Sequence, residues 1–96
     1  MPTLLTSTAI SAALPELPGW ELDGPALLRI AELPSFPAAI AVVGQVGAAA
    51  EELDHHPDID VRWRTLTFRC TTHSVGGLTE LDVALARRIS ELLAAS

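Results

Sequence analysis

Apolar positions recur along the chain with two different periods, and the changes of period mark its elements. Thr6 to Leu14 carries Ile10 and Leu14 one helical turn apart, before Pro15 and Pro18. That spacing predicts a short helix, capped by Thr6 or Thr8 and ended by the prolines. Gly19 to Asp23 and Ala26 to Leu33 are extended runs around Gly24-Pro25, and they predict a β-hairpin. Its second strand puts Leu28 and Ile30 on one face and Leu27, Arg29 and Ala31 on the other. Ser35 is a suitable N-cap, and Pro37 fits the first turn of a helix running to about Asp54. Gly44 and Gly47 lie in the middle of that helix. Each costs about 1 kcal/mol relative to alanine, so close packing of this helix on a sheet is the expectation they raise.

From Asp58 to Thr72 the period is two. Ile59, Val61 and Trp63 alternate with Asp60, Arg62 and Arg64, and then Leu66, Phe68 and Cys70 with Thr67, Arg69 and Thr71. A tip at Arg64-Thr65 sets Trp63 opposite Leu66, Val61 opposite Phe68 and Ile59 opposite Cys70, all on one apolar face. Asp60 then pairs with Arg69. Arg-Thr is a poor turn sequence, which leaves a bulge or a longer loop open at the tip. After a glycine-containing loop, Thr79 and Asp82 open the last helix as N-cap and third helical residue. Leu85, Ile89, Leu92 and Leu93 form its apolar stripe, with Arg87, Arg88 and Glu91 outside. The order α-β-β-α-β-β-α predicts an α+β fold: a four-stranded antiparallel sheet with three helices packed on one face. The bare face and the edges of such a sheet invite a second copy.

Composition narrows the classes of function. A chain of 96 residues fits a single domain over residues 1–96, and 49% hydrophobic residues supply a core. Six arginines, no lysine and 12 acidic residues leave a net charge of −6. That balance argues against nucleic acid as a partner and against an electrostatic membrane anchor. The longest apolar run, Pro37 to Ala50, falls short of the ~20 residues of a spanning helix. The N-terminus lacks the basic and apolar regions of a secretory signal. A soluble, cytoplasmic protein is the expectation. The lone Cys70 excludes an internal disulfide and a cysteine-based zinc site.

The candidate chemistry lies in three histidines, His55, His56 and His73. Closing the second hairpin brings them to its open end, with His56 opposite His73 if the ladder is extended. Pro57 interrupts that ladder, and Asp82 follows after a short loop. Glu51, Asp54 and His55 share a helix face, where a carboxylate would set the imidazole tautomer. Imidazoles titrate near about 6.5 and can both give and take protons. The plainer alternatives are a solvated Glu51–His55 helix pair and an Asp82 that only completes a capping box. Three histidines and an acid are also a donor set for zinc or iron, but consecutive side chains diverge, so no metal is expected. Cys70 points with Leu66 and Phe68 toward the core, which disfavours it as a nucleophile. Gly76-Gly77 lacks the following Lys-Ser or Lys-Thr of a phosphate loop.

Glu51-x3-His55-His56-Pro57-x5-Trp63-x9-His73-x8-Asp82 resembles the signature of the pterin-4a-carbinolamine dehydratase family. Gly77 to Asp82 and Leu17-Pro18-Gly19-Trp20 resemble its last-helix start and the lead into its first strand, so the likeness runs from about Leu14 to Ile89. The resemblance implies the α+β fold described above and a hydro-lyase. Such an enzyme dehydrates 4a-hydroxytetrahydropterins to quinonoid dihydropterins without a metal or organic cofactor, and so recycles pterin for aromatic amino-acid hydroxylases. It implies His55, His56 and His73 as acid/base and substrate-binding residues. Glu51, Asp54, Pro57, Thr71, Thr72 and Asp82 are implied around the substrate, with Glu51 and Asp54 supporting the histidine pair. A homodimer or homotetramer is the implied assembly. Ile59 departs from the family, which often has an aromatic residue there, and Val42, Val43, Gly44 and Gly47 stand where bulkier residues are usual. Relatives of this fold also serve as non-catalytic dimerisation or assembly factors, often with altered histidines; here all three are present.

Overall fold

The computed structural model describes residues 2–96. Helix α1 spans Ser7–Ala13 and runs into a 3-10 turn, Leu14–Glu16. Strands β1 (Trp20–Asp23) and β2 (Ala26–Glu32) precede α2 (Phe36–Leu53), and β3 (Asp58–Arg62) and β4 (Thr65–Cys70) precede α3 (Glu80–Ala94). A short 3-10 turn, His73–Val75, lies between β4 and α3. The strands form one antiparallel sheet in the order β1-β2-β4-β3. The fold is therefore α+β with the element order that the sequence predicts.

One face of the sheet is covered. Leu27, Leu66, Phe68 and Cys70 on that face join Val42 and Val46 of α2 and Leu85, Ala86 and Ile89 of α3 in one buried cluster. Burying one such side chain contributes about 1.5–3 kcal/mol. The other face of β2 carries Ile30, which is 60% exposed. By length and composition alone α2, at 18 residues, would pass for a membrane span. Ala39, Val42, Val46 and Ala50 instead anchor it in the core.

Capping follows the sequence closely. Thr6, rather than Thr8, caps α1, with its hydroxyl accepting from the Ala9 N–H at 3.1 Å. Ser35 caps α2 by accepting from the Ala38 N–H at 3.2 Å. Thr79 and Asp82 form a complete capping box on α3.

Two expectations fail, each for a physical reason. Gly44 and Gly47 are exposed, and a Cβ at either would meet nothing within 4 Å. Helical periodicity turns Ala39, Val42, Val46 and Ala50 inward, so the buried positions of this helix are alanines and valines and the glycines fall on its outer side. The second hairpin is also shifted by two residues from the predicted register. Val61 lies opposite Leu66, Ile59 opposite Phe68 and Asp58 opposite Arg69, and Asp60 faces Thr67. The tip is Trp63-Arg64, with Trp63 at φ 53° and 70% exposed. A shift of two keeps every residue on its face, so the apolar alternation cannot detect it. The tip is held from outside the hairpin. The Arg64 carbonyl accepts from the Leu33 N–H at 2.9 Å, and its guanidinium pairs with Glu32 at 2.8 Å. In this register an extended ladder would set His56 opposite Thr71, not His73.

Candidate active site

The end of α2 decides where the first two histidines go. Asp54 is left-handed, at φ 49°, and its N–H is donated back to the Ala50 and Glu51 carbonyls. The His55 N–H also returns to the Ala50 carbonyl, at 3.1 Å. This left-handed cap turns the chain off the helix axis. His55 swings inward and His56 outward. The helix-face pairing of Glu51, Asp54 and His55 is therefore not what forms. Glu51 hydrogen-bonds to His56 Nε2, and Asp54 stays exposed with no side-chain hydrogen bond among the described residues.

His55 meets Asp82. Its Nε2 lies 2.6 Å from Asp82 Oδ1, and the Asp82 side chain is fully buried. Asp82 Oδ2 accepts from the Thr72 hydroxyl at 2.7 Å and from the Thr79 N–H at 2.9 Å. The two threonine hydroxyls lie 2.8 Å apart, and the Thr79 hydroxyl accepts from the Leu81 N–H at 3.2 Å. One buried carboxylate thus ties together the end of α2, the end of β4 and the start of α3. Asp82 completes a capping box and also holds an imidazole.

His73 follows Thr72 directly and is exposed at the start of the 3-10 turn. That turn is closed by the Thr72 N–H donating to the Gly77 carbonyl at 2.9 Å. Gly76, at φ 68°, supplies the left-handed residue that lets so short a loop return. The N-terminal segment crosses it, with the Leu5 N–H donating to the Leu78 carbonyl at 2.8 Å. Thr71 donates its hydroxyl proton to the Pro25 carbonyl at 2.6 Å, tying β4 to the first hairpin. Pro57 is half-buried just before β3. Burial, and then the charges of Asp82 and Asp58, push the Cys70 thiol up to about 12, so it stays protonated at neutral pH.

The sequence model of the pterin 4 alpha carbinolamine dehydratase family matches residues 3–92. The chain belongs to that family. A putative pterin-4-alpha-carbinolamine dehydratase of Nocardia farcinica is 54% identical over 89 residues, covering 93% of this chain and 94% of the relative. One of the same name from Mycolicibacterium smegmatis is 50% identical, covering 94% and 96%. Among solved structures, a transcriptional coactivator/pterin dehydratase from Brucella melitensis superposes with a TM-score of 0.91 at 33% identity, covering 95% of this chain and 99% of that one. A pterin dehydratase-like RuBisCO assembly factor of the alpha-carboxysome superposes with a TM-score of 0.66 at 20% identity, covering 80% and 89%, and shares the fold.

In this family member two hydrogen-bonded groups form around the histidine pair, and among the described residues the His73 side chain belongs to neither. His55, Thr72, Thr79 and Asp82 form the buried one, and Glu51 with His56 the exposed one. Sequence reasoning missed the Thr79 hydroxyl. Its signal is in Thr79-x-x-Asp82, where Thr79 reads only as an N-cap. Among the described residues no three of His, Cys, Asp and Glu converge as a metal site. Two surface hollows, of about 440 and 310 Å³, lie between the N-terminal segment, α1 and the start of α3. Neither is lined by a histidine, so the chemistry rather than the concavity places the candidate site.

Proposed function

We propose that the chain dehydrates 4a-hydroxytetrahydropterin to quinonoid dihydropterin by histidine general acid/base catalysis, with no metal or organic cofactor. Family membership supports the reaction class. The observation that supports the mechanism is the His55–Asp82 pair, an imidazole held by a buried carboxylate, with exposed His56 next to it in the chain and exposed His73 next to Thr72, which bonds the same carboxylate. In the reaction an acid protonates the departing C4a hydroxyl, which leaves as water, and a base removes the N5 proton. The N–H electron pair becomes the C4a=N5 bond, so one proton in and one proton out balance. Each positioned transfer contributes about 10²–10⁴-fold. His55 and His73 share the acid and base roles, and His56 assists under the hold of Glu51.

Of the residues implied around the substrate, Glu51 and Asp54 are exposed and Pro57 is half-buried, so they are open to contact. Thr71, Thr72 and Asp82 are buried and engaged with protein groups, and they hold the site together. A homodimer or homotetramer in the cytoplasm goes with this reading. Exposed Phe36 and Ile40 on α2 and the open edges of β1 and β3 support self-association. The assembly-factor alternative has only a fold-level likeness behind it.

The test is direct dehydration of 4a-hydroxytetrahydropterin generated in situ by a hydroxylase, with quinonoid dihydropterin followed by absorbance. Acceleration is expected. It should fall about 10²-fold or more in His73→Ala, an exposed position where the substitution leaves the core intact. Unchanged rates in His55→Ala, His56→Ala and His73→Ala alike would overturn the mechanism.

A further inference from the structure

We propose that Asp82 is a positioning residue that fixes His55 as its Nε2–H tautomer and makes Nδ1 the working nitrogen. The inference deepens the proposed dehydratase reading and rests on its acid/base role for His55.

The protons around Asp82 can be counted. The Thr79 N–H is an obligate donor and points at Oδ2, 2.9 Å away. The Thr72 hydroxyl donates to the same oxygen at 2.7 Å. Having spent its proton there, Thr72 can only accept from Thr79, 2.8 Å away, and the Thr79 oxygen accepts from the Leu81 N–H. Every proton in the cluster thus runs toward the carboxylate. Asp82 Oδ1 then faces His55 Nε2 at 2.6 Å with no proton of its own, so the imidazole supplies it. The ring cannot be turned over to avoid this, because a carbon at 2.6 Å from an oxygen would collide.

Nδ1 is left, and it is open. It makes no hydrogen bond, yet among the described residues the only buried side-chain nitrogen or oxygen without a partner is Arg64 Nε. His55 Nδ1 therefore reaches the surface. A ring that donates Nε2–H inward carries its lone pair outward on Nδ1, where it can take a proton and later return it.

Asp82→Asn reverses this arrangement. The Thr79 N–H holds the asparagine oxygen, so the amide NH₂ turns to His55 Nε2. That nitrogen must then accept, and the ring proton moves to Nδ1. The same logic underlies the loss of activity when a triad aspartate becomes asparagine with its geometry intact.

The experiment is a long-range ¹H–¹⁵N correlation spectrum of the labelled full-length protein near pH 9. The His55 ring is identified as the signal missing from His55→Gln. The expected wild-type pattern is protonated Nε2 and bare Nδ1. In Asp82→Asn the pattern should exchange and kcat should fall roughly 10²-fold. Nδ1–H in the wild type overturns the proposal, and that spectrum decides even if Asp82→Asn does not fold. Exchange of the tautomer with an unchanged kcat overturns the positioning role while leaving the dehydratase intact. The expected tautomer in a protein that accelerates no dehydration overturns the functional reading instead.

Discussion

His55 and His56 are neighbours in sequence, and each meets a carboxylate, but the two pairs stand in opposite surroundings. The His55 and Asp82 side chains are 10% and 0% exposed, whereas those of His56 and Glu51 are 57% and 77%. Asp82 is also fixed by a hydroxyl and a backbone N–H, while Glu51 is held by nothing else at its carboxylate among the described residues. The inner pair works in low dielectric with its proton positions set. The outer pair is screened by water and salt, and pairs of that kind contribute little to stability. The partner each imidazole meets follows from one backbone residue, the left-handed Asp54, rather than from spacing along the helix.

The comparison is broken most easily at Asp82. Asp82→Ala removes the capping-box acceptor and leaves the Thr79 N–H, the Thr72 hydroxyl and His55 buried without it. The combined loss is expected to be about 3 kcal/mol, read as a lower urea midpoint with unchanged slope. Glu51→Ala, at the surface, should stay within about 0.5 kcal/mol. Equal costs for the two would mean that the inner pair is no more structural than the outer.

A smaller effect sharpens the same contrast through Cys70, which feels Asp82 and not Glu51. Its thiol ionises near 9.0 when unperturbed and about 12 in the fold. Between those values the unfolded chain has lost a proton that the folded chain keeps. The thiol's contribution is therefore complete below pH 9 and is lost as pH rises toward 12. Unfolding free energies should fall more steeply with pH above 9 in the wild type than in Cys70→Ala, by up to about 1.4 kcal/mol per pH unit. Identical slopes would show that the thiol is not held protonated.

Most of the fold is legible in the sequence, because caps and periodicity are local. Ser35, Pro37 and the Thr79–Asp82 box mark helix starts without reference to anything distant. The candidate site is legible in part. That Asp82 could reach the histidines follows from the short loop before α3, but the sequence leaves its role open between cap and chemistry; in the fold it caps α3 and also holds His55. What was misread depends on non-local contacts or on backbone sign. The hairpin register is set by Glu32 and Leu33 gripping Arg64, from another strand and the segment after it. The positive φ of Asp54 has no glycine to announce it.

The hairpin's two ends complete the contrast, and the tip should respond least. Trp63 is exposed and left-handed, with the Arg64 guanidinium 4.6 Å from its ring centroid. A bulky residue in that conformation costs about 1–2 kcal/mol, while an exposed cation–π contact returns about 0.5–1 kcal/mol. Trp63→Asn relieves part of the first and loses the second, since asparagine tolerates the left-handed region. The net change should lie within about 0.5 kcal/mol, and kcat for pterin dehydration should not move. The register survives because Arg64 keeps its grip on Glu32 and Leu33 whatever occupies position 63. A large loss of stability would show that Trp63 itself sets the turn. A loss of kcat in a stably folded Trp63→Asn protein would mean that the tip reaches a site after all. Within one chain it stands at the other end of β3 and β4 from the histidines, so the site it reached would belong to a second copy.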